Sequence, residues 1–320
     1  MLLGGSMKKV SIVVPCFNEE ENVFLFYKTC LKVFKNYKYK LELIFVNDGS
    51  KDKTFSEIEK VVKESKEFSV IGINFSRNFG KDAAMYAGLE KSSGDYVAII
   101  DADLQQPPEL IKDMIDVLEN DETYDEVCYY QKERIENKII SFLKKKFYSF
   151  ISKVSEVDFY NGASDFRLFR RYVVDSILSL GEKNRFSKGI FSWVGFNVKY
   201  LPYVPLERVN GKSNFNFIKL LKYAMSGIVS FSSFPLKFIL NTGLVITFSS
   251  ILFLIVYLVC FIMKIVLFKY GVIIGIIVLS LGLILTALGI IGEYIYSIHI
   301  ETKYRPIYIS KKIVRSEDKI

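Results

Sequence analysis

Two uncharged apolar runs, residues 238–263 and 270–292, close a chain of 320 residues. Each exceeds the roughly 20 residues that a helix needs to cross a bilayer. The C-terminal third is therefore expected to form a two-helix transmembrane hairpin. Basic side chains set its orientation, because they accumulate on the cytoplasmic side. Lys219, Lys222 and Lys237 precede the first run, and Lys303, Arg305, Lys311, Lys312 and Arg315 follow the second. The connection carries only Lys264 and Lys269. Both ends of the hairpin are expected in the cytoplasm, which describes a multi-pass protein of the inner (cytoplasmic) membrane. No secretory leader is expected in residues 1–6.

The remainder, roughly 230 residues, is large enough for one globular domain. The net charge of +8 suits an anionic membrane face or an anionic substrate, and beside two spans it does not point to nucleic acid. Cys16, Cys30, Cys128 and Cys260 show neither metal-ligand spacing nor tight pairing, as expected in a reducing cytoplasm. The one histidine, His299, lies beyond the second run. That excludes Ser-His-Asp hydrolysis in the globular part and a histidine-rich zinc site.

Short apolar runs at 10–15, 41–46, 69–74 and 96–100 read as strands, and helical stretches near 19–34, 53–64 and 83–91 separate them. The acidic Glu19, Glu20 and Glu21 suit the first turn of the first helix. Alternation of strand and helix predicts an α/β fold with a doubly wound, mostly parallel sheet. Ligands bind such sheets beyond the carboxyl ends of the strands, where Asn18/Glu19, Asp48, 77–81 and Asp101/Asp103 fall. Two basic amphipathic segments, near 138–154 and 214–235, have apolar stripes at helical spacing and suit either the headgroup plane or the domain core.

Asp101-Ala102-Asp103 follows the fourth apolar run. Carboxylates two residues apart at a strand end can share one hard divalent cation, Mg²⁺ or Mn²⁺, that bridges to substrate phosphates; a solvated turn is the alternative. Asp48 can accept hydrogen bonds from a base or ribose, or close an Asx-turn. Arg77 or Lys81 can meet phosphate from the loop after the third strand. Trp193, the single tryptophan, suits stacking on a sugar, the headgroup level or the core.

In order along the chain stand SIVVPCFNEEENV, FVNDGSKDKT, NFSRNFGKDAAMYAGL, DYVAIIDADLQQPPELI, NGASDFRLFRR, NRFSKGIFSWVGF, ERVNGKSNFNF and IIGEYIYSIHIETKYRPIYI. Together they resemble family 2 glycosyltransferases, and more narrowly the polyisoprenyl-phosphate glycosyltransferases, over nearly the whole chain. The resemblance implies a glycosyltransferase-A-type domain over 1–213, with an interface helix near 138–154, an amphipathic juxtamembrane segment at 214–235, two transmembrane helices within 236–298 (about 238–263 and 270–293) and a basic cytoplasmic tail at 299–320. It assigns nucleotide contacts to Pro15, Phe17, Glu19, Val46, Asp48, Lys81 and Ala102. Metal ligation falls to Asp101, Asp103 and Gln105, and the catalytic aspartate is Asp165. Phosphate contacts fall to Arg208 and Ser213. Where relatives carry an arginine after the fifth strand this chain reads Gln131, and Arg134 is taken as its substitute.

The reaction this implies is inverting transfer of a sugar, glucose from UDP-glucose first and N-acetylglucosamine from its UDP ester second, to undecaprenyl phosphate. A lipid-linked sugar of this kind serves decoration of a surface polymer such as O-antigen or teichoic acid. The implied partners are a nucleotide sugar, a polyprenyl phosphate, the bilayer, and further copies of the chain, in a tetramer. Glycines 271, 275, 282 and 289 offer small faces for helix packing. A processive polysaccharide synthase is disfavoured by the lack of a Gln-x-x-Arg-Trp stretch. A non-catalytic membrane scaffold or transport subunit is the reading from another class.

Overall fold

The computed structural model describes residues 7–131, 160, 162–183, 185–206 and 270–316, with scattered positions between 236 and 263. The chain forms two compact units: Met1–Tyr148 with Val157–Asn216 and Arg305–Ile320, and Ser149–Glu156 with Phe217–Tyr304.

The first unit is built on one eight-stranded sheet. In chain order its strands are β1 (Lys9–Cys16), β2 (Lys40–Asn47), β3 (Ser69–Phe75), β4 (Tyr96–Ile99), β5 (Glu126–Gln131), β6 (Ala163–Arg170), β7 (Val198–Tyr203) and β8 (Ser310–Arg315). Their order across the sheet is β7-β5-β6-β4-β1-β2-β3-β8. β4, β1, β2 and β3 run parallel; β6 and β8 flank that block antiparallel, and β7 lies parallel to β5. The sheet is thus mixed around the expected parallel core.

The helices of this unit are α1 (Val23–Val33), α2 (Thr54–Glu64), α3 (Lys81–Lys91), α4 (Leu110–Asn120), α5 (Arg171–Ser179) and α6 (Ser187–Trp193). Because helices cover both faces, β1 and β2 are apolar almost without alternation, and Val10, Ile12, Val14, Leu43 and Phe45 are fully buried. Phe26 of α1 meets Phe45 edge-on at 6.0 Å. Each such side chain contributes about 1.5–3 kcal/mol by leaving water. α3 lies close on β1: a Cβ on Gly88 would stand 2.1 Å from Val13 Cγ1.

The one acid inside β2, Glu42, sits at its amino-terminal end and is 3% exposed. Lys9 Nζ at 2.7 Å, Ser11 Oγ at 2.5 Å and the Ser93 amide at 2.9 Å donate to it. That satisfied cluster belongs to the edge opposite the site described below.

Two expectations differ from the structure. α1 starts at Val23, so Glu19–Glu21 precede it rather than filling its first turn. Glu20 is instead held by a neighbouring loop, accepting from the Lys53 amide at 2.8 Å. Residues 299–320, expected as a basic tail, instead contain the end of a long helix and the edge strand β8. Lys311 and Lys312 give an exposed edge strand the composition of a tail, and such charges are how edges avoid pairing with other chains. Val314 nevertheless packs on the core.

In the second unit α7 (Tyr270–Thr302) is a continuous helix of 33 residues. Its Leu283–Thr302 stretch is, among the described residues, the one helical segment long and apolar enough to cross a membrane. Within 236–262 the described positions are helical, and Phe238, Leu252 and Ile262 are largely exposed. The amphipathic segments near 138–154 and at 214–235 lie outside the described residues.

A candidate active site at the carboxyl ends of the strands

β1 and β2 end together, with Pro15 beside Val46 and Cys16 beside Asn47. The Asp48 amide donates to the Cys16 carbonyl at 2.9 Å, which turns the Asp48 carboxylate toward the loop after β3. There it accepts from the amides of Phe79 at 2.6 Å and Gly80 at 3.0 Å. Burial pushes the Asp48 carboxyl up, against these two amides and Arg77, which favour the anion. Gly49 has φ +63°, and a Cβ there would meet the carbonyl carbon of Arg77 at 2.3 Å. Only glycine allows the two loops to approach so closely. Arg77, one of two candidates for phosphate, lies over the Phe79 ring at 4.3 Å.

β4 hands over to the Asp101–Gln106 loop. The Ile100 amide still donates to Val13 O at 3.0 Å, and the Asp101 amide donates to Gln106 Oε1 at 3.1 Å. Asp103, 5% exposed, accepts from the Gln105 amide at 3.1 Å. Leu104 between them has φ +57°, a left-handed conformation that costs a branched residue about 1–2 kcal/mol. Gln105 is tied to the segment after β7: its carbonyl accepts from the Leu206 amide at 3.0 Å, and its side-chain amide donates to Leu206 O at 3.3 Å.

The pairing of β4 with β6 brings the third carboxylate in. Tyr96 faces Arg170 and Ile99 faces Arg167, and the same antiparallel register carried two residues further sets Asp165 opposite Asp101. Lys81, the first residue of α3, fills the gap. Its ammonium lies 2.6 Å from Asp101 Oδ1 and 2.9 Å from Asp165 Oδ2. Burial works to raise the Asp165 carboxyl, but Lys81 and then Lys188 outweigh it and hold the group well below the usual carboxylate range. The Lys81 side chain is partly exposed, so the protein around it desolvates its ammonium only in part, and the two aspartates raise its pKa. Lys188 of α6 donates to Ala163 O at 3.2 Å, two residues before Asp165 on β6. The motif NRFSKGIFSW contains Lys188, yet nothing in the sequence alone directs it to Asp165.

Behind Asp165, Arg167 and Glu126 form an ion pair at 2.5 Å, 2% and 0% exposed. Arg167 Nε also donates to Ser164 O at 3.2 Å, fixing the strand that carries Asp165. Tyr203 of β7 hydrogen-bonds to Gln106, which burial and the nearby Asp101 and Asp103 set against ionisation of its phenol.

Among the described residues no three His, Cys, Asp or Glu side chains converge as a cage for a metal ion. Mg²⁺ and Mn²⁺ do not need one, since one or two carboxylates plus substrate phosphates suffice. The observation that fits a cation here is the position of the Lys81 ammonium, a positive charge already held between two carboxylates. Asp101 and Asp103 are the residues that can hold the metal, with Gln105 in the same turn.

The remaining expected residues fall as follows. Pro15 and Glu19 are half-buried, with Glu19 accepting from Asn22 Nδ2 at 2.6 Å, and Phe17 is exposed. Val46 and Ala102 are buried, Val46 between its partners Pro15 of β1 and Ile73 of β3. Trp193 is exposed at the end of α6, not in the core. Arg134, Arg208 and Ser213 lie outside the described residues.

The profile of glycosyl transferase family 2 matches residues 11–178, the stretch that carries Asp48, Lys81, Asp101, Asp103 and Asp165. CsbB of Bacillus subtilis (strain 168), described as a glycosyltransferase, is 41% identical over 304 residues, covering 95% of this chain and 91% of its own length. The bactoprenol glucosyl transferase of Shigella phage SfV is 41% identical over 313 residues, covering 95% and 98%. A prophage bactoprenol glucosyl transferase homolog of Escherichia coli (strain K12) is 38% identical over 315 residues, covering 95% and 99%.

Proposed function

Because the chain belongs to glycosyl transferase family 2, we propose that it transfers glucose from UDP-glucose to undecaprenyl phosphate at the cytoplasmic face of the membrane. That it is a glycosyltransferase follows from membership and from relatives matched end to end. The polyprenyl phosphate acceptor is supported by relatives named for bactoprenol. The observation that carries the reading is the meeting of Lys81, Asp101 and Asp165 at the carboxyl ends of β4 and β6.

A divalent cation bound here supplies countercharge to the departing nucleoside diphosphate. Asp101 and Asp103, with Gln105, are the residues to hold it. Asp48 and the loop it fixes receive the nucleotide. The acceptor is a phosphate monoester whose second pKa is near 6, so it arrives largely dianionic and needs little help from a base. Asp165 suits that chemistry: an aspartate held below the usual carboxylate range takes up protons poorly at neutral pH and acts by orienting acceptor or sugar. In-line displacement inverts the anomeric centre, so an α-linked donor yields a β-linked lipid phosphate. Arg134, Arg208 and Ser213 are assigned to phosphate by resemblance. Leu206, two residues before Arg208, is already bound to the metal-site residue Gln105.

Sheet topology supports an even number of membrane crossings. β7 ends at Tyr203 and β8 begins at Ser310, and both are strands of the same sheet. A segment that leaves and rejoins one sheet cannot cross a bilayer an odd number of times. In this reading α7 makes one crossing: it carries the described stretch long and apolar enough to do so, and its 33 residues extend about 50 Å, more than the roughly 30 Å of hydrocarbon. The apolar run 238–263 supplies the second crossing. Basic flanks on both sides support a cytoplasmic catalytic unit.

The test incubates the purified full-length chain, Mg²⁺ and undecaprenyl phosphate with radiolabelled UDP-glucose, UDP-N-acetylglucosamine and GDP-mannose in parallel. Label moves to the organic phase with UDP-glucose and not after Asp103→Asn. Transfer from another donor replaces the sugar assignment, and an unimpaired Asp103→Asn variant overturns the site.

A further inference from the structure

Lys81 occupies the place where a cation is needed, and this has a consequence for how ligands assemble. Its ammonium contacts Asp101, a metal-ligand residue, and Asp165 on a different strand, at 2.6 and 2.9 Å. A metal ion coordinated by a carboxylate oxygen sits at about 2.0–2.6 Å from it. The ammonium and a divalent ion therefore compete for the Asp101 carboxylate, because both are cations that need it at contact distance. The side chain is 41% exposed, so ions and phosphates reach it from solvent. It is also mobile by construction, a point charge on a four-carbon stem. It stands at the first position of α3 directly after Gly80, whose amide is held by Asp48.

We propose that Lys81 is an internal stand-in for the divalent cation, released to the nucleotide's diphosphate when the metal takes Asp101, so that metal and nucleotide bind cooperatively. The inference rests on the metal and nucleotide assignments above and adds an order to them. Metal alone must displace an ammonium held by two carboxylates and leave that ammonium without an anion. Nucleotide alone brings phosphates beside Asp101 and Asp165 while Lys81 is still engaged by them. Only together does each charge meet its opposite: the cation takes the carboxylates, and Lys81 and the cation take the diphosphate. The same coupling keeps the site closed to adventitious metal and shields the carboxylates from mutual repulsion in the resting protein.

Coupling between two ligands is reciprocal and commonly 5- to 150-fold in affinity. The experiment measures Mn²⁺ affinity, by electron paramagnetic resonance of free Mn²⁺, with and without UDP on the detergent-purified full chain. Wild type, Lys81→Met and Lys81→Gln are compared; the glutamine keeps a neutral donor for the two carboxylates if methionine prevents folding. In wild type, UDP tightens Mn²⁺ binding by about 100-fold. In the variants Mn²⁺ alone binds about tenfold tighter than to wild type, UDP in the presence of Mn²⁺ binds weaker, and the coupling shrinks by about tenfold or more. Variants that bind Mn²⁺ no tighter than wild type, or that keep the full coupling, overturn the role of Lys81 while leaving the metal site standing. Failure of every protein to bind Mn²⁺ in the presence of UDP removes the metal site itself, and this inference with it.

Discussion

At Asp165 two influences oppose each other: burial favours the neutral acid, and the ammonium groups of Lys81 and Lys188 favour the anion and win. A carboxyl whose pKa is depressed by folding contributes stability above its unfolded pKa, about 3.9, and loses it as pH falls. Melting temperature of the wild type is therefore expected to fall more steeply between about pH 5 and pH 2 than that of Asp165→Asn, followed by differential scanning fluorimetry in detergent. Parallel slopes would contradict the ion cluster. The Glu126–Arg167 pair makes a different prediction, because it is fully enclosed. Arg167→Met strands a buried carboxylate and is expected to cost about 3–5 kcal/mol in denaturant titration, whereas replacing both partners by apolar residues costs much less. Asp101, Asp103 and Asp165 were legible in the sequence as motif residues. Lys188 and Arg167 were not, because their contacts arise only when α6 and β5 pack against β6.

At the scale of elements, β1 to β4 were legible as apolar runs, since strands covered on both faces need no alternation. β5 to β8 were not. β6, reading Ala-Ser-Asp-Phe-Arg-Leu-Phe-Arg, mixes site residues with core residues and looks like a turn before a short apolar stretch. β8 hides behind its lysines, yet its backbone closes the edge of β3 from Ile71 to Phe75. Tyr308, just before it, stacks on Phe75 at 4.9 Å and donates to Glu90 of α3 at 2.8 Å. Removing everything after residue 304 spares every residue assigned to the site. It is nonetheless expected to abolish the cooperative melt of the catalytic unit and to cause aggregation through the bared edge of β3; an unchanged melt would show β8 to be dispensable. The loop between β3 and α3 makes a sharper test. Gly49→Ala places a methyl 2.3 Å from the Arg77 backbone and must push the Phe79 and Gly80 amides away from Asp48. UDP affinity by calorimetry is expected to fall about tenfold or more, equivalent to about 1.4 kcal/mol, with a smaller change in melting temperature.

For the whole molecule, the apolar character of the segment that forms α7 was legible in the sequence, because a period-free apolar run of this length has few other uses in a protein. What the sequence did not contain was the return of the chain after α7 into the sheet it had left, a long-range pairing that no local pattern encodes. The mixed sheet carries the aspartates, and the apolar helices fall between β7 and β8 along the chain; in the proposed reading they serve a lipid-bound acceptor. The claim that joins both halves is that Asp165, beside the Asp101 site, presents the sugar donor to a lipid phosphate. Phase partition of labelled sugar tests it most directly, using purified wild type and Asp165→Asn with Mn²⁺, UDP-glucose and undecaprenyl phosphate. The account predicts label in the organic phase from wild type and background label from the variant, although the variant still binds UDP. Undiminished transfer by Asp165→Asn, or label that stays in water with the wild type, would contradict it.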